Sequence, residues 1–452
     1  MAWILPLLLA AVSTAARLPA VAASPVFEAG VAGADITPRE AIRMGGYAAR
    51  THASDGVAVP LWAKALALRD ARGGRVVIVT LDLLRAPRIL TDAVAGEAKR
   101  RHGLERSQIL FNCSHNHSGP LLWENDPYPS VAPEDYETSR RYMEWLTATV
   151  NDLVGEALRD LAPATISVSE GSATFGANRR VATAAGYEIG HNPSGPTDHR
   201  VPVLRVNGAD GRLRAVLFGY ACHNTAIGPE SYRISGDYAG VAQQAIERAH
   251  PGVTALFLQL AAGDQDPYPR GPAEWADRHG RALADAVERA LAPSGQAGLL
   301  AGPLGTAYRE VPLALAPHTR ELFEARLSDP LAARVRNART MLKAYDEGRP
   351  MVSLPYPVQA VRIGEGFAIV AIGGEPVVDY ALRAKRELPG VVLAGYSNSV
   401  KGYVPSARVL AEGGYEAGDS AIYYGLPGPF APGVEDTIFA AVRDVLRDAR
   451  SR

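Results

Sequence analysis

The stretch Asn112–Pro120, NCSHNHSGP, sets two imidazoles two residues apart among a thiol, hydroxyls and a Gly-Pro turn. Side-by-side imidazoles repel once both are protonated, so His115 and His117 need a shared electrophile or a hydrogen-bond network. Zinc suits the first case because it binds neutral imidazole. An isolated pair leaves both readings open. Three other segments repeat the form of an apolar run that breaks into polar residues. LRAVLFGYACHNTAIG delivers His223, LFLQLAAGDQDP delivers Asp264 and Asp266, and FAIVAIGGEP delivers Glu375 after a Gly pair. Singly, each is equally a turn cap. Four such endings point to one crevice at one edge of a sheet. Two or three imidazoles with a carboxylate is the composition of a zinc hydrolase site.

The elements that must position these residues alternate along the chain. Apolar runs of strand length occur at FEAGVAGADITP, LWAKALALRD, GRVVIVTLDLL, SQILFNCSHNH, PATISVSEGSATFG and VPVLRVNG. If QILFNCSH is extended, side-chain alternation puts Cys113, His115 and His117 on one face. Helical spacing marks ILTDAVAGEAKRRHG with its Gly stop, and DYETSRRYMEWLTATVNDLVGEALRDL, DYAGVAQQAIERAH, AEWADRHGRALADAVERAL and VEDTIFAAVRDVLRDAR. The Arg-rich stretch TRELFEARLSDPLAARVRNARTMLKAYDEG reads as a solvated helical pair packed on the sheet. No linker divides the chain. The expectation is an α/β fold, mixed β-sheets covered by helices, in one large catalytic domain.

Composition narrows the function classes. The formal net charge is -1 over 452 residues, which excludes nucleic acid or an anionic membrane surface as the main partner. The first residues carry an apolar run from Trp3 to Val12 and small residues from Ala20 to Ala23. That pattern predicts a secretory signal peptide over residues 1–23, an exported protein, and a mature domain over 24–452. The run is too short for a membrane anchor, and no other segment reaches transmembrane length. Only Cys113 and Cys222 are present, so there is no disulfide framework. Both are read as small buried hydrophobes. No motif sets an oligomeric state.

The motifs AGADITP, NCSHNHSGP, ACHNTAIG, ISGDYAG, AAGDQDP, GGEP and GYSNSVKGYVPSARVLAEGGYEAGDS occur in an order that resembles the neutral/alkaline, non-lysosomal ceramidases. The resemblance runs from about Gly30 to about Gly425. It implies zinc held by His115, His223, Glu375 and Tyr403, with His117 beside the metal facing substrate. Arg179 in GANRR and Tyr415 in EGGYEAGDS resemble the family's oxyanion donors.

Two departures stand out. The family's Gly-Asp-x-Ser-Pro motif is GDQDP here, with Asp266 at the serine position. The chain ends at Arg452 in an amphipathic helix, where such ceramidases continue into a β-sandwich domain, which counts against ceramide itself. The resemblance implies a zinc-dependent hydrolase of an N-acyl, ceramide-like amide. The alternatives are a zinc hydrolase of a more polar amide or ester, to which Asp266 presents an acidic group, or a non-catalytic exported binding protein that keeps the metal site.

Overall fold

The computed structural model describes residues 27–122, 133–292 and 298–450. The segment read as a signal peptide lies outside the described residues. Two sheets carry the fold. The larger runs in the order Thr254–Gln259, Leu213–Tyr220, Arg200–Gly208, Ala162–Ser172, Phe27–Asp35, Trp62–Asp70, Arg75–Leu81, Ile109–Cys113, with Gly298–Leu299 paired to Ala162–Ser172. The smaller runs Leu304–Ala314, Ser353–Ile363, Phe367–Ile372, Val391–Ala394. Parallel pairing of Leu213–Tyr220 with Thr254–Gln259 at one edge and of Arg75–Leu81 with Ile109–Cys113 at the other, with antiparallel pairing between them, makes the large sheet mixed.

Period-two alternation explains how both faces are buried. Along Trp62–Asp70, Ala63, Ala65 and Ala67 join Leu90 and Val94 of helix Arg88–His102 and Leu146 and Val150 of helix Pro133–Arg159. Their neighbours Leu66 and Leu68 join Val361, Ile363, Ile369 and Ala371 of the smaller sheet instead. Phe218 and Phe257 pack on Ile246 and Leu283 of helices Asp237–Ala249 and Glu274–Leu291. The outer face of the smaller sheet buries Val358, Val370 and Ile372 against Ile438, Phe439 and Val442 of helix Val434–Asp448. The layers are therefore helix, sheet, sheet, helix. Among the described residues, no helix is long and apolar enough to cross a membrane.

The large sheet curls until its two edge strands meet. Asn112, on one edge, accepts from Gln259 N at 2.7 Å and donates to Gln259 O at 3.1 Å on the other. The same side chain donates to Gly395 O at 2.8 Å and to Ser397 Oγ at 3.1 Å. The chain leaving Val391–Ala394 is thereby drawn into the seam, with bridges Leu260↔Ala394 and Asn112↔Ser397. A second amide, Asn224, donates to Ser114 O and to Gln259 Oε1 across the same seam. Asn112 is fully buried, so deleting its amide strands several backbone groups without water. Asn112→Ala should therefore lower stability by about 2–4 kcal/mol in a denaturant titration.

Candidate metal centre

Four strands that end at the seam supply the candidate groups. The strand Ile109–Cys113 stops before His115, which takes a left-handed backbone with φ 58°. His115 and His117 therefore do not continue the alternation of the strand, as its sequence suggests. Cys113 stays in the apolar core, whereas the backbone of Ser114 and His115 bonds to Leu81 O and Leu83 O, both at 2.9 Å. The turn still brings the two imidazoles together, Nε2 to Nε2 at 3.2 Å. His223, after Leu213–Tyr220, joins them, and the ligand atoms of His115, His117 and His223 lie within 4.8 Å of one another.

Glu375 and Tyr403 arrive as partners in a two-stranded parallel ribbon, Glu375–Pro376 with Tyr403–Val404, in direct register. The Gly pair before Glu375 makes that approach possible. A Cβ on Gly374, at φ 66°, would stand 2.6 Å from Val404 Cγ2 and 2.8 Å from Gly402 O.

The hydrogen bonds fix which atoms face inward. His115 Nδ1 donates to Leu84 O at 2.7 Å and His223 Nδ1 donates to Ala262 O at 2.8 Å. A carbonyl can only accept, so in the neutral rings both Nε2 atoms are bare lone pairs. They face Glu375 Oε2 at 3.0 Å and 3.3 Å. That oxygen is fully buried and has no hydrogen-bond partner. Tyr403 OH stands 3.3 Å from His223 Nε2. Burial, and after it the Arg179 charge, lowers the His223 pKa, which favours the neutral ring. Burial followed by His115 and His223 holds His117 well below its ordinary value. Burial would raise the Glu375 carboxyl, but His115 and His223, when protonated, outweigh it and hold it well below the usual range.

With both rings neutral, the lone pairs of His115 Nε2, His223 Nε2 and Glu375 Oε2 converge, and a cation resolves their repulsion. Donors bound tetrahedrally at about 2.0–2.1 Å from zinc stand about 3.3 Å apart. The separations of 3.0 Å, 3.3 Å and 3.3 Å fit that spacing. His115, His223, Glu375 and Tyr403 are one donor set that could hold a metal ion, and His117 is a further imidazole within reach. Both thiols are free and lie outside the cluster.

Arg179 sits on the strand Gly176–Thr183, which pairs with Gln265–Pro267. Its guanidinium donates to Tyr403 OH at 2.9 Å, Glu416 Oε1 at 2.8 Å and Asp266 Oδ1 at 3.2 Å. Burial pushes the Tyr403 phenol well above its ordinary pKa, and the Arg179 charge opposes that rise. Tyr415 packs edge-on against Tyr403 with ring centroids 5.4 Å apart, and its ring lies 5.9 Å from the Arg179 guanidinium carbon.

Asp266 is 1% exposed and is not a free acidic group. Arg179 and Thr225 bond to its Oδ1, and Arg270 to its Oδ2. Burial would raise its carboxyl, but the two guanidiniums outweigh this and lower it. Asp264 instead accepts from Val378 N at 2.7 Å and from Asn178 Nδ2 at 2.9 Å, a structural tie between segments.

Sequence reasoning missed three neighbours. Tyr424 donates to Glu375 Oε1, Tyr396 packs its ring 4.5 Å from His115, and Arg270 meets Asp266. Tyr396 lies in the stretch where Tyr403 drew attention instead, and Tyr424 lies just beyond it. The i,i+4 spacing of Asp266 and Arg270 was the one local signal available for the third.

With this geometry in view, comparison with known proteins is informative. The family model described as neutral/alkaline non-lysosomal ceramidase, N-terminal, matches residues 27–282. The chain belongs to this family. It is 25% identical over 282 residues to the neutral ceramidase of Pseudomonas aeruginosa, a match covering 58% of this chain and 40% of that protein. It is 25% identical over 224 residues to neutral ceramidase 2 of Arabidopsis thaliana, covering 48% of this chain and 29% of that one. The match thus spans less than half the length of these curated relatives. In structure, neutral ceramidase from Pseudomonas aeruginosa superposes with a TM-score of 0.72 at 19% identity, covering 94% of this chain and 74% of the other. A structure described as ceramidase complexed with C2 gives 0.73 at 18% identity, covering 94% and 76%. The ceramidase-family fold is shared across nearly all of this chain.

The packing around His117 yields a prediction. A Cβ on Gly46, at φ 92°, would stand 2.5 Å from His117 Cγ. Gly46→Ala should therefore displace the imidazole and lower stability by about 1–3 kcal/mol. Gly96→Ala is the control. It lies in helix Arg88–His102 with nothing within 4 Å of the added Cβ, and should raise stability by about 0.5–1 kcal/mol. Denaturation midpoints of the two variants measure both.

Proposed function

We propose that the chain is an exported, zinc-dependent hydrolase of an N-acyl amide bond, the bond class of ceramide. The observation that carries this reading is the partnerless Glu375 Oε2 facing the bare Nε2 atoms of His115 and His223. His115, His223, Glu375 and Tyr403 would hold the ion. Zinc bound there supplies a Lewis acid that polarises water and the scissile carbonyl.

The protein's own groups carry the remaining steps. His117 has one ring nitrogen 3.2 Å from His115 Nε2, and its buried Nδ1 has no hydrogen-bond partner. It takes the proton of the attacking water and returns it to the leaving amine nitrogen. Tyr415 donates to the oxyanion of the tetrahedral intermediate. Arg179 holds the Tyr403 oxygen at 2.9 Å and adds a fixed positive charge beside the developing negative one. Tyr424 fixes the second oxygen of Glu375, so the carboxylate keeps one orientation. Family membership and the shared fold support the amide-hydrolase class. The relatives named ceramidases support a ceramide-like substrate.

A second reading, hydrolysis of a more polar amide or ester, rests on the part-exposed Arg270 guanidinium, since Asp266 is held by Arg179 and Arg270 and offers substrate no free charge.

Purified protein should contain about one zinc per chain, and chelation should abolish amide hydrolysis. His223→Ala should lose both metal and activity, and stoichiometric zinc in that variant would refute the donor set. X-ray absorption should show nitrogen and oxygen scatterers with no sulfur shell near about 2.3 Å. Tyr415→Phe should keep its zinc and reduce kcat by about 10²–10³-fold, and an unchanged rate would remove Tyr415 from the chemistry.

A further inference from the structure

The buried arginines beside the metal centre are not served equally. Arg179 is paired with Glu416 and Asp266, and Arg180 with Glu416 and Glu412. Arg270 meets Asp266 alone, so one carboxylate serves two guanidiniums. Among the described residues no other carboxylate pairs with Arg270. Its second terminal nitrogen reaches only Tyr47 OH, at 3.5 Å. The Arg270 side chain is 27% exposed, so its guanidinium meets solvent. The Tyr47 ring links this charge to the site, packing edge-on against His117 with centroids 4.9 Å apart.

A second cation lies close to the same ring. The Arg50 guanidinium lies 4.8 Å from the centroid of the same Tyr47 ring. It donates to Gly45 O at 3.0 Å and to His117 O, both neutral carbonyls. Arg50 is buried, its Nε and Nη2 have no hydrogen-bond partner, and it forms no ion pair among the described residues. Arg50 and Arg270 therefore flank Tyr47 on the His117 side, with Asp237 and Glu230 as further carboxylates nearby. A planar, part-exposed guanidinium matches a carboxylate with two parallel hydrogen bonds.

We infer that Arg270 forms a carboxylate-binding subsite and that the preferred substrates are N-acyl amino acids. The subsite rests on the amide-hydrolase reading above, and it names the group next to the scissile bond. Arg270 holds the carboxylate of the amine half, with Arg50 adding long-range attraction. Asp266 keeps the Arg270 side chain in place, and its own charge is spent on the two arginines. An amine half that ends in a neutral hydroxyl leaves the Arg270 charge unanswered and binds more weakly.

A matched pair of substrates tests this on the zinc-loaded enzyme: N-dodecanoylglycine and N-dodecanoylethanolamine, which share an acyl chain and differ in the carboxylate. The wild type should favour the glycine conjugate in kcat/KM by at least about tenfold, the worth of a charged hydrogen bond. Arg270→Gln should collapse that ratio by about 10–100-fold, with the loss in KM rather than kcat. Asp266→Ser, which frees Arg270 from its partner, should preserve or raise the preference. A wild-type ratio near one, or a ratio that Arg270→Gln leaves in place, overturns the subsite while hydrolysis itself persists. If the wild type cleaves neither amide, the hydrolase reading falls. Equilibrium binding of the intact N-dodecanoylglycine then reads the subsite directly. Tighter binding than the ethanolamide that is lost in Arg270→Gln sustains it, and equal binding of the two overturns it.

Discussion

The closure of the large sheet by Asn112 is the constraint on which the site depends. A strand order that begins with Thr254–Gln259 and ends with Ile109–Cys113 would leave His223 and His115 at opposite ends of an open sheet. Asn112 replaces the missing ladder with its side-chain amide, giving and receiving one bond each with the Gln259 backbone. The same amide captures Gly395 and Ser397, which draws in the smaller sheet and its Glu375–Tyr403 ribbon. One buried amide thus brings donors from both sheets to a single point. Its energetic weight comes from low dielectric, because every group it satisfies would otherwise be stranded away from water.

The second organising element is electrostatic. Histidine nitrogens and a carboxylate oxygen are pressed together at hydrogen-bond distances with their protons turned outward to Leu84 O and Ala262 O. The surrounding shell repeats the theme in the opposite sign. A continuous chain runs His223, Tyr403, Arg179, Asp266, Arg270, from the core of the cluster to solvent. Rigidity on this scale is costly unless each member is satisfied, and along this chain each is. Its exposed end is Arg270, which shares its one paired carboxylate with Arg179.

Much of this was legible in the sequence, for a physical reason. Buried strands read as apolar runs, and the groups that follow them stand where the sheet ends, so His115, His223, Asp264 and Glu375 announced themselves by position. The resemblance added Tyr403, Arg179 and Tyr415. The meeting of the sheet edges was not legible, because Asn112 and Gln259 look like ordinary polar residues in strand contexts. Nor was the exit of His115, which depends on a backbone turn at φ 58° that side-chain alternation does not anticipate. The hairpin Gly176–Thr183 with Gly186–Asn192 also escaped, since GANRRVAT and GYEIGHN lack an apolar run. Asp266 drew attention as an acidic residue at the serine position of the family motif. Its meaning changed once its two arginines were in place.

The seam also sets an order of assembly. The groups around the cluster come from widely separated segments of the chain, and the lone pairs of His115, His223 and Glu375 do not attract one another in the absence of a cation. Their approach therefore cannot nucleate folding. It must be driven by the apolar faces of the two sheets and completed when Asn112 closes the edges, after the long-range loops have been ordered. The centre is a late product of folding rather than a seed for it. Its mutual repulsion is energy supplied by the scaffold and held ready for an ion, so cation affinity here is inherited from hydrophobic packing elsewhere in the molecule.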